Sequence, residues 1–346
     1  MSSLLRVGII GAGTISAYHM NGYKALPNVQ LRSICDLNAE AAQARAEEFG
    51  IEHVYSDYHD ILNDPNIDAV SIVTPTFTHK QIVLDAIAAG KHILCEKPPF
   101  LTAAEAEECI RAAEGSGKLL MFGFVVRHAG HMKFLREFVD SGKMGQIYYA
   151  DLNRTKRFIQ RRGWFNNKAL AGGGELFDGA IHEIDSALYL MGYPKVKSVK
   201  GYTTDVHNAL PYLVKGETPV ERTTESAACA MITFENGACM RVQAGTAFLT
   251  AEEKCSIELC GTRAGAVAHI FKNELKLISL DENNCPVECT PELDLSDTPH
   301  NRQIAHFVDC CLNGTECMVK PWQAVEVLKL LNAVYESAET GKEILF

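Results

Sequence analysis

Leu5-Arg6-Val7-Gly8-Ile9-Ile10-Gly11-Ala12-Gly13-Thr14-Ile15-Ser16 decides the fold. An apolar run short enough to be a buried strand leads straight into two glycines, and a helical pattern then extends from Ile15 to Ala25. Gly11 permits the tight turn after the strand. Gly13 leaves room for a pyrophosphate at the positive end of the helix, where the backbone of Ala12, Thr14 and Ile15 would also meet it. Ser16 stands where a third glycine or an alanine is usual, and serine is small enough for close helix–strand packing. The start of the chain lacks a basic first region and a cleavage site, so it reads as the first strand and not as a targeting segment.

The same rhythm continues outward from this unit. Strand-like runs at 30–35, 69–73, 92–95 and 119–122 alternate with helical patterns at 39–49, 78–89 and 103–114. Gly50, Gly90 and Gly117 are expected to end those helices in the left-handed region. Strand, helix, strand repeated in this way requires parallel pairing through right-handed crossovers, which makes a doubly wound sheet. After Gly123 the pattern changes to a helix at 130–141, a strand at 146–154, a helix from 177 to 191 and then mainly strands to 280. Asn236-Gly237 marks a hairpin with positive φ expected at both turn positions. Two helices, 301–312 and 321–340, follow. The reading is two domains: residues 1–123 around the parallel sheet, and 124–346 as an α/β domain on an open, mainly antiparallel sheet.

A formal net charge of −10 argues against nucleic acid or an anionic membrane as partner. No apolar stretch is long enough to span a bilayer. The twelve cysteines form no Cys-x-x-Cys pair, and Cys35, Cys95, Cys229 and Cys239 fall inside apolar strand-like runs, where free cysteine acts as a small hydrophobe. The expectation is a reduced, cytoplasmic protein with no disulfide framework and no metal.

Asp36 closes the second strand, about twenty residues beyond the glycine loop, where a carboxylate accepts both ribose hydroxyls of NAD and repels a 2′-phosphate. NADP is the less favoured cofactor, since Arg32 lies too far back on the strand to hold that phosphate. The bland alternative for Asp36 is a helix cap near Asn38. Thr74-Pro75 and Cys95-Glu96-Lys97-Pro98-Pro99 follow the strands at 69–73 and 92–95, at the sheet edge where ligands of such folds bind. They either contact the cofactor or, for Thr74, cap the next helix. A lysine at that edge can hold a substrate hydroxyl beside a nicotinamide ring.

The second chemical segment is Gly172-Gly173-Gly174-Glu175-Leu176-Phe177-Asp178-Gly179-Ala180-Ile181-His182. In a helix from about Leu176, Asp178 and His182 share a face one turn apart. An imidazole beside a carboxylate suits alcohol oxidation, because histidine takes up the hydroxyl proton near neutrality. Asp185 could compete for the ring, and a surface ion pair is the bland reading. Three glycines in a row predict close approach by a ligand or by another part of the chain.

Gly11-x-Gly13, Thr74-Pro75 with His79, Glu96-Lys97-Pro98, and the triple glycine followed by Asp178 and His182 together resemble the Gfo/Idh/MocA oxidoreductase family. The likeness runs through the closing helix with Ala333-Val334-Tyr335-Glu336-Ser337-Ala338. It implies a nicotinamide-binding Rossmann domain, a second α/β domain on an open sheet, and a Lys97–Pro98 bond that is often cis. It also implies that Lys97 binds substrate, His182 is general acid/base and Asp178 assists. The chain departs from the family pattern at Gly179-Ala180, where an apolar residue then glycine is commoner. It departs again at Val125-Val126-Arg127, where asparagine and arginine are frequent, which leaves Arg127 as the polar contact from that segment.

Arg154, Lys156, Arg157, Arg161 and Arg162 put five basic residues in nine positions, close before Trp164. They read as a solvated loop or subunit contact in preference to an anion-binding wall, with Trp164 placed to pack on a sugar ring. The expected activity is therefore hydride transfer between NAD and a secondary hydroxyl of a neutral cyclic polyol or sugar. The alternatives are a redox-neutral NAD-dependent glycosidase and, less favoured, a non-catalytic dinucleotide sensor. The open sheet predicts a homo-oligomer, a dimer or tetramer.

Overall fold

The computed structural model describes residues 4–157, 163–206, 221–246 and 248–346. The first part runs β1 (Leu5–Ile10), α1 (Thr14–Lys24), β2 (Val29–Cys35), α2 (Ala39–Phe49), β3 (His53–Tyr55), α3 (Tyr58–Asn63), β4 (Ala69–Ile72), α4 (Thr76–Ala88), β5 (His92–Cys95), α5 (Ala103–Ala113) and β6 (Leu120–Phe122). Its six strands pair in parallel in the order β3-β2-β1-β4-β5-β6, the doubly wound arrangement expected from the sequence. β4 is buried along its whole length, as are five of the six residues of β1, because helices cover both faces of a parallel sheet. Only β3 and α3 were not foreseen. Three half-buried residues carry no legible period.

Gly50 caps α2 in the left-handed region, and Gly90 takes positive φ just beyond Ala89, the C-cap of α4. Gly117 also has positive φ but does not cap a helix: α5 has already stopped, with Glu114 as its C-cap. The N–H of Leu119, just before β6, donates to Nδ1 of His92 at the start of β5. Burial, with the nearby charge of Lys118, lowers the His92 pKa, so the folded ring stays neutral where the unfolded one takes a proton. Stability should then fall as pH drops below about 6.5. Urea midpoints measured at pH 7.5 and 5.5 should differ less in His92→Gln, which keeps an acceptor for Leu119, than in the wild type.

The second part runs from a 3-10 turn (Val125–His128) through α6 (Gly130–Asp140), β7 (Ile147–Thr155), a second 3-10 turn (Gly163–Asn166), α7 (Lys168–Ala171), α8 (Glu175–Asp178) and α9 (Ile181–Met191). There follow β8 (Val196–Thr204), β9 (Ala227–Phe234), β10 (Cys239–Gly245), β11 (Lys254–Gly261), β12 (Ala264–His269), β13 (Glu274–Leu280), β14 (Pro286–Cys289), α10 (Pro299–Asn313), α11 (Pro321–Thr340) and β15 (Ile344–Leu345). Nine strands form one sheet in the order β14-β13-β12-β11-β7-β10-β9-β8-β15, antiparallel except where β7 meets β10. Helices α8 and α9 pack on one face. The other face turns Tyr202, Cys229 and Met231 to solvent, so Cys229 is not the buried hydrophobe expected from its sequence context, and Cys239 is only half-buried. At the β9–β10 hairpin only Gly237 has positive φ; Phe234 and Ala238 flank a three-residue loop that ends in a left-handed glycine.

The chain does not divide at a single cut. One compact unit comprises residues up to His128 together with Asp297–Val325, and the other comprises Ala129–Ser296 and Glu326–Phe346. The physical reason is a glycine notch. A Cβ at Gly22 on α1 would lie 2.8 Å from Cγ1 of Ile304, so the missing side chain lets α10 settle directly on α1. None of the described helices is long and apolar enough to cross a membrane.

Candidate functional site

In the first unit, six parallel strands bring the segments that follow them to one edge of the sheet. Gly11, with φ +110°, presses on the end of β4: a Cβ there would stand 2.7 Å from the Val73 carbonyl oxygen. Gly13 is different, since a Cβ would meet nothing within 4 Å. It is the N-cap of α1, makes no side-chain capping bond, and is followed by a first turn without acidic residues. The first turn of α1 thus carries no carboxylate of its own, which suits an anionic group. Ser16 is fully buried and its hydroxyl donates to the Gly13 carbonyl at 2.6 Å, consistent with its small size in the third position.

Asp36 is half-buried. Its Oδ2 accepts the Ala12 N–H at 2.7 Å and its Oδ1 the Asn38 N–H at 2.8 Å, while the cap of α2 is Asn38. The carboxylate therefore sits against the glycine loop and is not the helix cap. Leu37, beside it, is 94 % exposed, an apolar side chain at the same edge that sequence reasoning passed over. Arg32 is engaged elsewhere, with Nε 3.1 Å from Asp64.

Thr74-Pro75 and Lys97-Pro98-Pro99 are fastened together by His79, which is 1 % exposed. Its Nε2 lies 2.8 Å from the Thr74 carbonyl, and its Nδ1 lies 3.1 and 3.0 Å from the Pro98 and Pro99 carbonyls. Burial lowers the ring's pKa, although all these carbonyls and the charge of Glu96 pull the other way. His79 is a positioning residue for both loops. The Lys97–Pro98 bond is cis, and Lys97 is half-buried.

Glu96 departs from the expected cofactor contact. It is 5 % exposed, with Oε1 3.0 Å from His19 Nε2 and Oε2 accepting the Lys97 N–H at 3.1 Å. Burial alone would raise its pKa, but the bond to His19 and the charges of His19, Lys97 and His300 outweigh it and hold the carboxyl low. It anchors the backbone of Lys97 from beneath. Arg127 likewise drops out of the substrate set. It is 1 % exposed, its Nη1 donates to Gln323 at 2.6 Å and Met318 at 3.4 Å, and its guanidinium covers the Phe124 ring.

In the second unit the triple glycine is explained by the chain itself. A Cβ at Gly172 would lie 2.6 Å from the Phe177 ring, one at Gly173 would collide with Tyr335, and one at Gly174 would lie 2.7 Å from the Glu225 carbonyl. Glu225, a residue the sequence did not single out, accepts the Gly174 and Leu176 N–H groups at 2.7 and 3.2 Å. It thereby fastens the start of α8. Burial raises its pKa against those bonds.

Asp178 and His182 do not share one helix. α8 ends at Asp178, Gly179 is its C-cap, and α9 begins at Ile181. A Cβ at Gly179 would collide with the Glu175 carboxylate, so glycine is needed at the break between the two helices. Asp178 is half-buried at the end of one helix, and His182 is 6 % exposed in the first turn of the next. The His182 ring meets Phe271 edge-on, with centroids 6.0 Å apart at 84°. Asp185 lies 3.5 Å from the Tyr193 hydroxyl, which donates to it.

Arg154 ties the two helices together. From β7 its Nε donates to Glu175 at 2.8 Å and its Nη1 to Glu183 at 3.3 Å, and its guanidinium lies 4.5 Å above the Phe271 ring. Lys156 Nζ is 3.3 Å from Glu175. Arg154 and Lys156 are thus internal counter-ions for α8 and α9, not part of an anion-binding wall. Arg157 is exposed, with Nε bonded to the Thr250 carbonyl at 2.8 Å. Arg161 and Arg162 lie outside the described residues. Trp164 is half-buried and stacks on Phe165 at 3.8 Å.

Comparison with known proteins agrees with this two-part fold. Residues 5–124 match "Oxidoreductase family, NAD-binding Rossmann fold", and residues 136–345 match "Oxidoreductase family, C-terminal alpha/beta domain", the two domains of Gfo/Idh/MocA proteins. The chain is 32 % identical over 352 residues to D-glucoside 3-dehydrogenase of Escherichia coli K12, covering 99 % of this chain and 98 % of that protein. It is 26 % identical to the NAD-dependent scyllo-inositol 2-dehydrogenase of Bacillus subtilis 168, over 99 % of this chain and 97 % of that one. A solved levoglucosan dehydrogenase in complex with NADH superimposes with a TM-score of 0.88 at 25 % identity, covering 99 % of both chains.

Proposed function

The chain belongs to the Gfo/Idh/MocA oxidoreductase family, and from that premise we propose that it oxidises a ring secondary hydroxyl of a neutral hexose-type sugar or cyclic polyol with NAD. The observation that carries the substrate class is kinship along the whole chain to a D-glucoside 3-dehydrogenase. The fate of the basic run supports a neutral substrate, because Arg154 and Lys156 are consumed by Glu175 and Glu183.

The residues at the first sheet edge fit NAD. Open space at Gly13, the uncapped start of α1 and the partly exposed Asp36 carboxylate provide for a pyrophosphate and a ribose diol. Gly11, Ala12, Thr14, Ile15, Thr74 and Pro75 complete that set, and Leu37 offers an apolar rest for the adenine. Bound NAD supplies the hydride acceptor. Lys97 hydrogen-bonds the reacting hydroxyl or its neighbour, and its ammonium favours the oxygen as negative charge develops there. His182 takes the hydroxyl proton, Asp178 orients the sugar and steadies the charged ring, and Trp164 packs against the sugar. The open sheet face of the second unit is the surface on which copies of the chain would pair.

Asp36→Ala should weaken NAD binding by about 1.5–3 kcal/mol, the worth of hydrogen bonds to a charged group, and should also improve NADP binding. The measurement is the ratio of the two dissociation constants by fluorescence titration, since a loosened loop alone would weaken both alike. The function itself is tested by turnover with NAD on a panel of alkyl glucosides, levoglucosan, inositols and uronic acids. Accumulation of reduced cofactor with the neutral sugars is expected. Glycoside cleavage without net reduced cofactor would overturn the dehydrogenase reading in favour of a redox-neutral glycosidase.

A further inference from the structure

We propose that His306, Cys310 and Cys317, with His128 as fourth ligand, form a binding site for a zinc-like divalent cation within the first compact unit. Among the described residues, the ligand atoms of His306, Cys310 and Cys317 lie within 4.8 Å of one another. His306 and Cys310 stand one turn apart on α10, where side chains four residues apart share a face. Nε2 of His306 is 3.5 Å from Sγ of Cys310. Ordinary zinc bond lengths and a tetrahedral angle require about 3.6 Å between such a nitrogen and sulfur.

Cys317 reaches the pair because the chain reverses after α10. Gly314 caps the helix with φ +70°, and Asp309 accepts hydrogen bonds from the side chains of Asn313 and Thr315. The returning loop is tied to the Val125–His128 turn through Arg127, which holds Met318 and Gln323. His128 follows directly; it stands outside the 4.8 Å group of the other three, so its ring must move toward them when the cation binds. It is 5 % exposed, its ring centroid is 5.5 Å from that of His306, and its Nε2 is buried without a hydrogen-bond partner. A buried nitrogen left unpaired is unfavourable, and a cation would satisfy it.

Two imidazoles and two thiols are a donor set for a borderline d10 cation, not for magnesium or calcium. Binding forms two metal–nitrogen and two metal–sulfur bonds and releases the two thiol protons. It also takes the Nε2 lone pair that now accepts the Met318 N–H at 2.9 Å, leaving that amide as a donor beside the new thiolates. None of the four residues belongs to the proposed chemistry, so the cation is structural and fastens the 314–320 loop to the 125–128 turn. The sequence hides the site, because His-x3-Cys-x6-Cys is not a zinc-finger spacing and the fourth ligand lies far upstream.

The test is titration of the reduced full-length protein with Co2+. About one equivalent should bring up thiolate-to-cobalt charge transfer and intense tetrahedral d–d absorption, both displaced by Zn2+. Both should be lost in Cys317→Ser and kept in Cys229→Ser, whose cysteine is exposed on the open sheet. Should Cys317→Ser not fold, alkylation of the wild type decides. Zinc should slow labelling of Cys310 and Cys317 about tenfold or more and leave Cys229, Cys285 and Cys289 unaffected. Folded wild type without the cobalt bands, bands that survive Cys317→Ser, or zinc that protects neither cysteine would overturn the proposal, and none of these results bears on the dehydrogenase reading.

Discussion

His182→Ala should lower kcat by about 10²–10⁴-fold while leaving the NAD dissociation constant within about twofold of the wild type. The proposed proton acceptor sits in the first turn of α9, in the second compact unit, whereas the groups assigned to NAD lie in the first. Loss of the imidazole removes a base and leaves the nucleotide contacts alone. The pH profile gives the sharper signature. The acidic limb of kcat/KM in the wild type reports protonation of the free enzyme's base, and it should vanish in the variant. Turnover within threefold of the wild type, with the acidic limb intact, would take His182 out of the chemistry.

Arg154→Met should destabilise the protein by about 3–5 kcal/mol, the usual result of removing one partner from a buried ion pair. Glu175 and Glu183 are both fully buried, and the guanidinium is the counter-ion they share. Burial already pushes the Glu183 carboxyl up against the pull of Arg154. A carboxyl whose folded pKa is raised binds its proton more tightly in the folded state, so stability falls as pH rises from the unfolded value through the folded one. The loss in Arg154→Met should therefore be larger at pH 8 than at pH 6 by urea denaturation. Adding Glu183→Gln should restore part of it. If the double variant is no more stable than Arg154→Met and the loss is the same at both pH values, the effect is one of packing and not of charge.

These two residues also mark how far the sequence could be read. Five of the six strands of the first sheet, all but β3, are visible to within a residue, because a strand buried on both faces is a largely continuous apolar run. The turn at Gly11, the Asp36 carboxylate beside the glycine loop and the place of Lys97 just past β5 follow local order in a similar way, whereas the single helix expected to join Asp178 and His182 is two. Features set by distant partners were not legible. Glycine is needed at 179, between α8 and α9, because the Glu175 carboxylate occupies the place of a Cβ. Arg154 looks like one of five surface charges until Glu175 and Glu183 come back to it from two later helices. Arg127 is spent on Gln323, 196 residues away, and α10 joins the first unit through a notch at Gly22 that no periodicity announces. Glu225 and Tyr335, which make the triple glycine necessary, are likewise far off in sequence.

The central claim is direct hydride transfer from a sugar ring carbon to NAD, assisted by Lys97 and His182. The measurement that tests it most directly is turnover of an alkyl glucoside deuterated at its ring carbons, with mass analysis of the reduced cofactor. The account predicts one deuterium on the nicotinamide, a primary isotope effect on single-turnover rates, and loss of label transfer in Lys97→Ala. Reduced cofactor without deuterium, or sugar consumed with no label reaching the nicotinamide, would contradict it.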